Sequence, residues 1–124
     1  MNIPAAYHWF AKLKQLQFIP WSIDATIETN PNTFIDNRFQ MECPGREVLT
    51  FAARQDQDTF AGFEVVNGEI TEKVLVFHPS FQTNTKDWNI VENEYSDFFD
   101  FMQRRALPDM KDWIPDDDVA DYLQ

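Results

Sequence analysis

A single cysteine, Cys43, rules out any disulfide within the chain. That suits a reducing compartment, and the expected localisation is cytoplasmic. Glycine is nearly as scarce, with three in 124 residues, so turns must be built mainly from Asn, Asp and Pro. Basic residues are few: ten Lys and Arg face 21 Asp and Glu, a formal net charge of −11. Such a chain repels a phosphate backbone and an anionic bilayer surface, and no basic run offsets this, so neither nucleic acid nor membrane is expected as a partner. A basic protein partner fits the charge, although acidity also serves plain solubility. No apolar run approaches the ~20 residues needed to cross a bilayer. The opening residues do not read as a signal peptide, because Lys12 and Lys14 interrupt them midway.

Aromatic residues are plentiful, with twelve Phe, four Trp and three Tyr. That is too much apolar payload for a disordered chain even at this charge, and it implies a large aromatic core under an acidic surface. The length suits one domain over residues 1–124, ending in an acidic segment, 108–124, that carries six Asp and one Lys. Repeats and low-complexity linkers are absent.

Residues 4–17 are expected to form an amphipathic helix, with Pro4 at its first position and Ala6, Trp9, Phe10, Leu13 and Leu16 facing the core. A second short helix is expected around Phe34–Phe39, capped by Asn32 or Thr33. Strands follow at Glu47–Ala53, Phe60–Val66 and about Ile70–Phe77, with Asn67-Gly68 as a hairpin turn. In the third strand Val74 and Val76 face one way, Leu75 and Phe77 the other. That strand should therefore be central and covered on both sides. Trp88–Val91 is expected as a short edge strand. Asn93 should then cap a helix from Glu94 to Ala106, with Tyr95, Phe98, Phe99, Met102 and Ala106 as its apolar stripe. Met110, Trp113 and Ile114 suggest another short helix.

Little in the chain points to catalysis. No nucleophile motif is present, and no His or Cys spacing suits zinc, so no catalytic residue, metal or cofactor is expected. His78 before Pro79 reads as a strand terminus, and a small enzyme using it with Asp56 or Asp58 finds no motif support. Acidic neighbours Glu42 and Glu47 give Cys43 no activation. Asp56 and Asp58, with Arg54 beside them, read first as a solvated hairpin loop; contact with a basic partner is the functional alternative, and two Asp are too few to mark a divalent-cation site. Asp116-Asp117-Asp118 suits helix capping and solvation, and less well mimicry of phosphate spacing. Trp21, Trp88 and Trp113 lie near expected element ends, where most aromatics close off a core and an exposed one anchors an interface.

The stretch Pro44-Gly45-Arg46-Glu47, Phe51-Ala52, Arg54-Gln55-Asp56 and Gly62-Phe63 resembles the SMI1/KNR4-type (SUKH superfamily) proteins. The likeness extends from Phe18-Ile19-Pro20-Trp21 through Val74–His78 to the helix Tyr95–Arg105, some two-thirds of the chain. Gln57 and Thr59 depart from it by interrupting the family's acidic cluster. The resemblance implies an α+β fold: a twisted, mainly antiparallel sheet flanked by N-terminal and C-terminal helices. It also implies a non-enzymatic binding module of the bacterial immunity type, which neutralises a cognate toxin, often a nuclease. On that basis Arg54, Asp56, Asp58 and Trp88 are expected to contact a basic toxin domain. A regulatory or scaffold domain of the same fold, self-associating and without a toxin partner, stays open, and so does the oligomeric state.

Overall fold

A computed structural model describes residues 2–12, 17–81 and 89–113. The chain is α+β. Its described elements are α1 (Ala5–Ala11), β1 (Gln17–Phe18), β2 (Trp21–Ile23), α2 (Thr33–Glu42), β3 (Glu47–Arg54), β4 (Phe60–Val66), β5 (Glu69–Phe77), β6 (Val91–Tyr95), α3 (Phe98–Phe101) and α4 (Leu107–Trp113). A π-helical stretch, Met102–Ala106, joins α3 to α4. The six strands pair antiparallel in sequence order. Among the described residues no helix is long and apolar enough to cross a membrane.

The three long strands fall within a residue of the expected ranges. Asn67 and Gly68 both take positive φ, 52° and 77°, which gives the β4–β5 hairpin a turn whose twist matches its strands. Val74 to Phe77 are fully buried. Val74 and Val76 belong to a large core with Phe51, Phe63, Phe98 and Phe101. Leu75 and Phe77 belong to a smaller one with Ile35 and Phe39 of α2. One face of the sheet is thus covered by α1 and the C-terminal helices, the other by α2. In β3, Thr50 pairs with Gly62 and Ala52 with Ala61, so Phe51 is an extra, bulged residue. The bulge turns both Phe51 and Ala52 into the large core.

Several sequence expectations need correction. The first helix covers only Ala5–Ala11, with Pro4 as its N-cap. Its inward side chain is Tyr7, while Trp9 is 70% exposed. Leu13 and Leu16 lie outside the described residues. Glu94 and Tyr95 belong to β6, because Tyr95 pairs with Val74 across the sheet. The helix begins later, at Phe98, with the Asp97 carboxylate accepting from the Asp100 amide at 2.7 Å. The Trp88–Val91 edge strand is replaced by Val91–Tyr95, and Trp88 itself falls outside the described residues. Phe99, expected in the apolar stripe, points outward and is 57% exposed. The helix also runs past Ala106 to Trp113. Pro108 has no N–H to give and its ring crowds the carbonyl four residues back, and the wider π turn just ahead of it accommodates both. Residues 114–124, with Ile114 and Asp116 to Asp118, lie outside the described residues.

Gly62 sits where β3 and β4 approach closely: a Cβ there would lie 2.8 Å from the Leu49 carbonyl oxygen and press on a Val48 methyl. Gly62→Ala should therefore cost about 1–3 kcal/mol of stability in denaturant titration. An unchanged midpoint would show that the strands can spread at no cost.

Candidate functional site

Arg54 ends β3, and its amide donates to the Thr59 carbonyl at 2.8 Å, closing the turn that carries Asp56 and Asp58. Its guanidinium grips Asp56 with two bonds, Nε to Oδ1 at 2.7 Å and Nη2 to Oδ2 at 3.2 Å. The remaining arm, Nη1, donates to Asp109 Oδ2 at 3.1 Å. That same oxygen accepts from the Trp21 indole at 2.8 Å and from Arg105 Nε at 2.8 Å. Arg105 continues the network, donating to Asn93 Oδ1 at 3.0 Å and lying over the Trp21 ring, 5.8 Å from its centroid.

This network crosses five elements, counting the π-helical stretch that carries Arg105. Trp21 is on β2, Arg54 on β3, Asn93 on β6 and Asp109 on α4. Burial alone would weaken the Arg105 charge, but the hydrogen bond and charge of Asp109, with Tyr95 beside it, outweigh burial and raise the guanidinium above its ordinary value. The arrangement is a latch that fixes α4 across the sheet, and Arg54 and Asp56 are engaged within it. Asp58 is exposed, and among the described residues it forms no ion pair. Of the residues singled out from sequence, the structure thus joins Arg54 with Asp56 and leaves Asp58 apart, while Trp88 lies outside the described residues. Sequence reasoning missed Arg105 and Asp109. Their i, i+4 spacing was a usable signal, hidden because the helix was expected to stop at Ala106.

Two further carboxylates hold α2. Asp36 Oδ1 accepts from the Thr50 amide at 2.8 Å. The Thr50 hydroxyl, also buried, lies beside the same carboxylate without a well-formed hydrogen bond. Burial raises the Asp36 carboxyl above the usual range, against the pull of Thr50. Glu42, at the other end of α2, accepts from the Ser80 amide and hydroxyl, both at 2.7 Å, from the Phe81 amide at 3.1 Å and from Arg38 Nε at 2.6 Å. Burial opposes its charge, yet these donors win and lower its pKa.

The imidazole of His78 lies with Nδ1 3.2 Å from the buried Thr59 hydroxyl. Among the described residues no group of three His, Cys, Asp or Glu could hold a metal ion.

Two predictions follow the chemistry of these carboxylates. Asp109→Ala strands an indole N–H and two guanidinium arms in a largely buried site, and should lower stability by about 2 kcal/mol or more in denaturant titration. A loss within error would mean that water replaces the carboxylate freely. A carboxyl raised on folding stabilises the fold below its unfolded value, and that contribution disappears as pH rises through the folded value. Wild type and Asp36→Asn should therefore melt alike in acid, with the variant gaining on wild type as pH rises to neutrality. A variant less stable than wild type at neutral pH would show instead that the charge itself is needed to hold the Thr50 amide.

Compared with family models, with curated proteins and with solved structures, the chain matches none.

Proposed function

We propose that this chain is a non-enzymatic protein-binding module of the immunity type, acting in the cytoplasm on a basic toxin domain. The observation that carries the reading is a pairing of charge with apolar display. The chain has a net charge of −11, yet regular helices hold Trp9, Phe34, Met41 and Phe99 well out on the surface. Large exposed apolar side chains on a rigid frame suit a protein partner, where they supply anchors. The acidic field would speed the encounter with a basic one. The resemblance of the Pro44–Phe63 hairpin and the closing helix to SMI1/KNR4-type proteins points the same way.

Asp58 is the carboxylate of the sequence-identified turn that is left for such steering, since Arg54 holds Asp56. The test is capture of partners by the tagged full chain, read by native mass spectrometry, followed by association kinetics. A basic partner at fixed stoichiometry is expected, with an association rate that falls by about tenfold or more from low to high salt. Asp58→Lys should slow association and flatten that salt dependence. A lone monomer with no salt-sensitive partner would sink the immunity reading. A mass that grows with concentration would favour the self-associating scaffold domain.

A further inference from the structure

Helix α2 packs Ile35 and Phe39 onto the sheet and leaves much of its circumference open. At 100° per residue, Gln40, Thr33 and Asn37 line one side of that open arc, and Met41, Phe34 and Arg38 follow around the other. Phe34 is 70% and Met41 65% exposed. Phe81 stacks on Phe34, with centroids 6.4 Å apart and planes 14° from parallel, and the Arg38 guanidinium lies 5.7 Å from its ring centroid.

The ring of Phe81 is held there by construction. Its φ of 57° is a backbone region that bulky residues rarely adopt. Two amides and a hydroxyl from Ser80 and Phe81 fix this conformation on the Glu42 carboxylate, whose side chain is only 4% exposed. An aromatic pair fixed in this way loses little freedom when a partner covers it.

On the other side of the open arc of α2, lined by Thr33, Asn37 and Gln40, a cleft of about 290 Å³ runs between α2 and the uncovered half of β3. Strand β2 pairs only with Ala52 to Arg54, so residues 47–50 of β3 have no strand on that side. Leu49, Val65 and Ile70 supply apolar wall, and Asp36 and Glu47 supply carboxylates. Of the other acids on these strands and α2, Glu42 is matched by Arg38, Glu64 by Arg46 and Glu94 by Lys73, while Glu69, beside Ile70, is exposed and forms no ion pair among the described residues. Asp36 and Glu47 have no cation partner among the described residues.

We infer that this face docks a basic protein partner, with a Lys or Arg side chain entering the cleft and a separate apolar part of the same partner reaching across α2 to cover Phe34, Met41 and Phe81. The inference rests on the basic-partner reading and names its surface and its chemistry. The aliphatic stem would lie on Leu49, Val65 and Ile70, and the charged head would meet Asp36 and Glu47. A second copy of this chain fits less well, because it brings the same unmatched carboxylates to the same cleft. The raised carboxyl of Asp36 agrees, since burial without a cation is what a bound guanidinium would relieve.

The test is an NMR titration of the full chain with a short, end-blocked peptide of alternating arginine and leucine, and with its citrulline counterpart. Saturable shifts are expected at residues 33–41, 47–49, 65 and 70, with the citrulline peptide weaker by roughly tenfold. Phe34→Ser and Glu47→Lys should each weaken the arginine peptide by about tenfold. Both sites are exposed, and circular dichroism checks that each variant is folded. Asp112→Lys makes the same change in net charge on α4 and should leave binding as it was. Shifts spread over the acidic surface, equal binding of the citrulline peptide, an equal loss in Asp112→Lys, or no saturable shift would each overturn the inference. A captured basic partner that keeps full affinity for both site variants would remove this surface and leave the basic-partner reading standing. Failure of the capture removes that reading, while the titration still decides whether the cleft takes a cation.

Discussion

The fold depends on one constraint, the burial of β5 on both faces. Val74 to Phe77 are four successive apolar residues that all lie out of solvent. A strand alternates its side chains, so such a run needs cover on two sides. No single helix can provide that. The cover comes from α1 and the C-terminal helices on one face and from α2 on the other. The meander around β5 then follows from short local turns, and the distant ends of the chain are drawn together over Phe51, Phe63 and Phe98, which lie within 6.3 Å of one another ring to ring.

Charge is spent on fixing that cover, which explains why so many carboxylates are not free. Asp109 joins α4 to β2 and β3 through three donors. Asp36 supplies the acceptor that a longer β2 would have given to Thr50. Glu42 ties the end of α2 to the segment after β5. The β6 edge carries Glu92 and Glu94 outward, and Glu92 sits at a bulge, both of which discourage another strand from pairing there.

Sequence pattern found the elements whose signal is local. The Asn67-Gly68 turn and the apolar run of β5 each have one physical solution, and β4 falls on the expected Phe60–Val66. The misses share a cause, which is that tertiary pairing decided between two locally acceptable options. Trp9 with Leu13 and Leu16 makes one apolar stripe and Ala6 with Phe10 another, about 70° apart, and spacing alone cannot choose the one nearer Tyr7. Asn93 and Asp97 are both good caps, and the pairing of Tyr95 with Val74 selected the later one. β1 and β2, at two and three residues, are too short to show alternation at all. Of the candidate site, Arg54 and Asp56 were legible because they are neighbours in sequence, whereas Asp109 lies 55 residues away and its role exists only once α4 is docked.

Acidity has two separate uses in a chain of this charge. Net charge acts at a distance and sets how fast a basic molecule arrives, whichever carboxylates produce it. Recognition at contact needs a group that is both reachable and not already satisfied. Asp56 and Asp109 fail that requirement, because each is bonded within the latch. Glu47 meets it beside α2, as Asp58 does on its turn, whereas Asp36 accepts from the Thr50 amide and lacks only a cation. Total charge is therefore set by composition alone, while the charge left unmatched at each place is set by which carboxylates the docking of α2 and α4 engages.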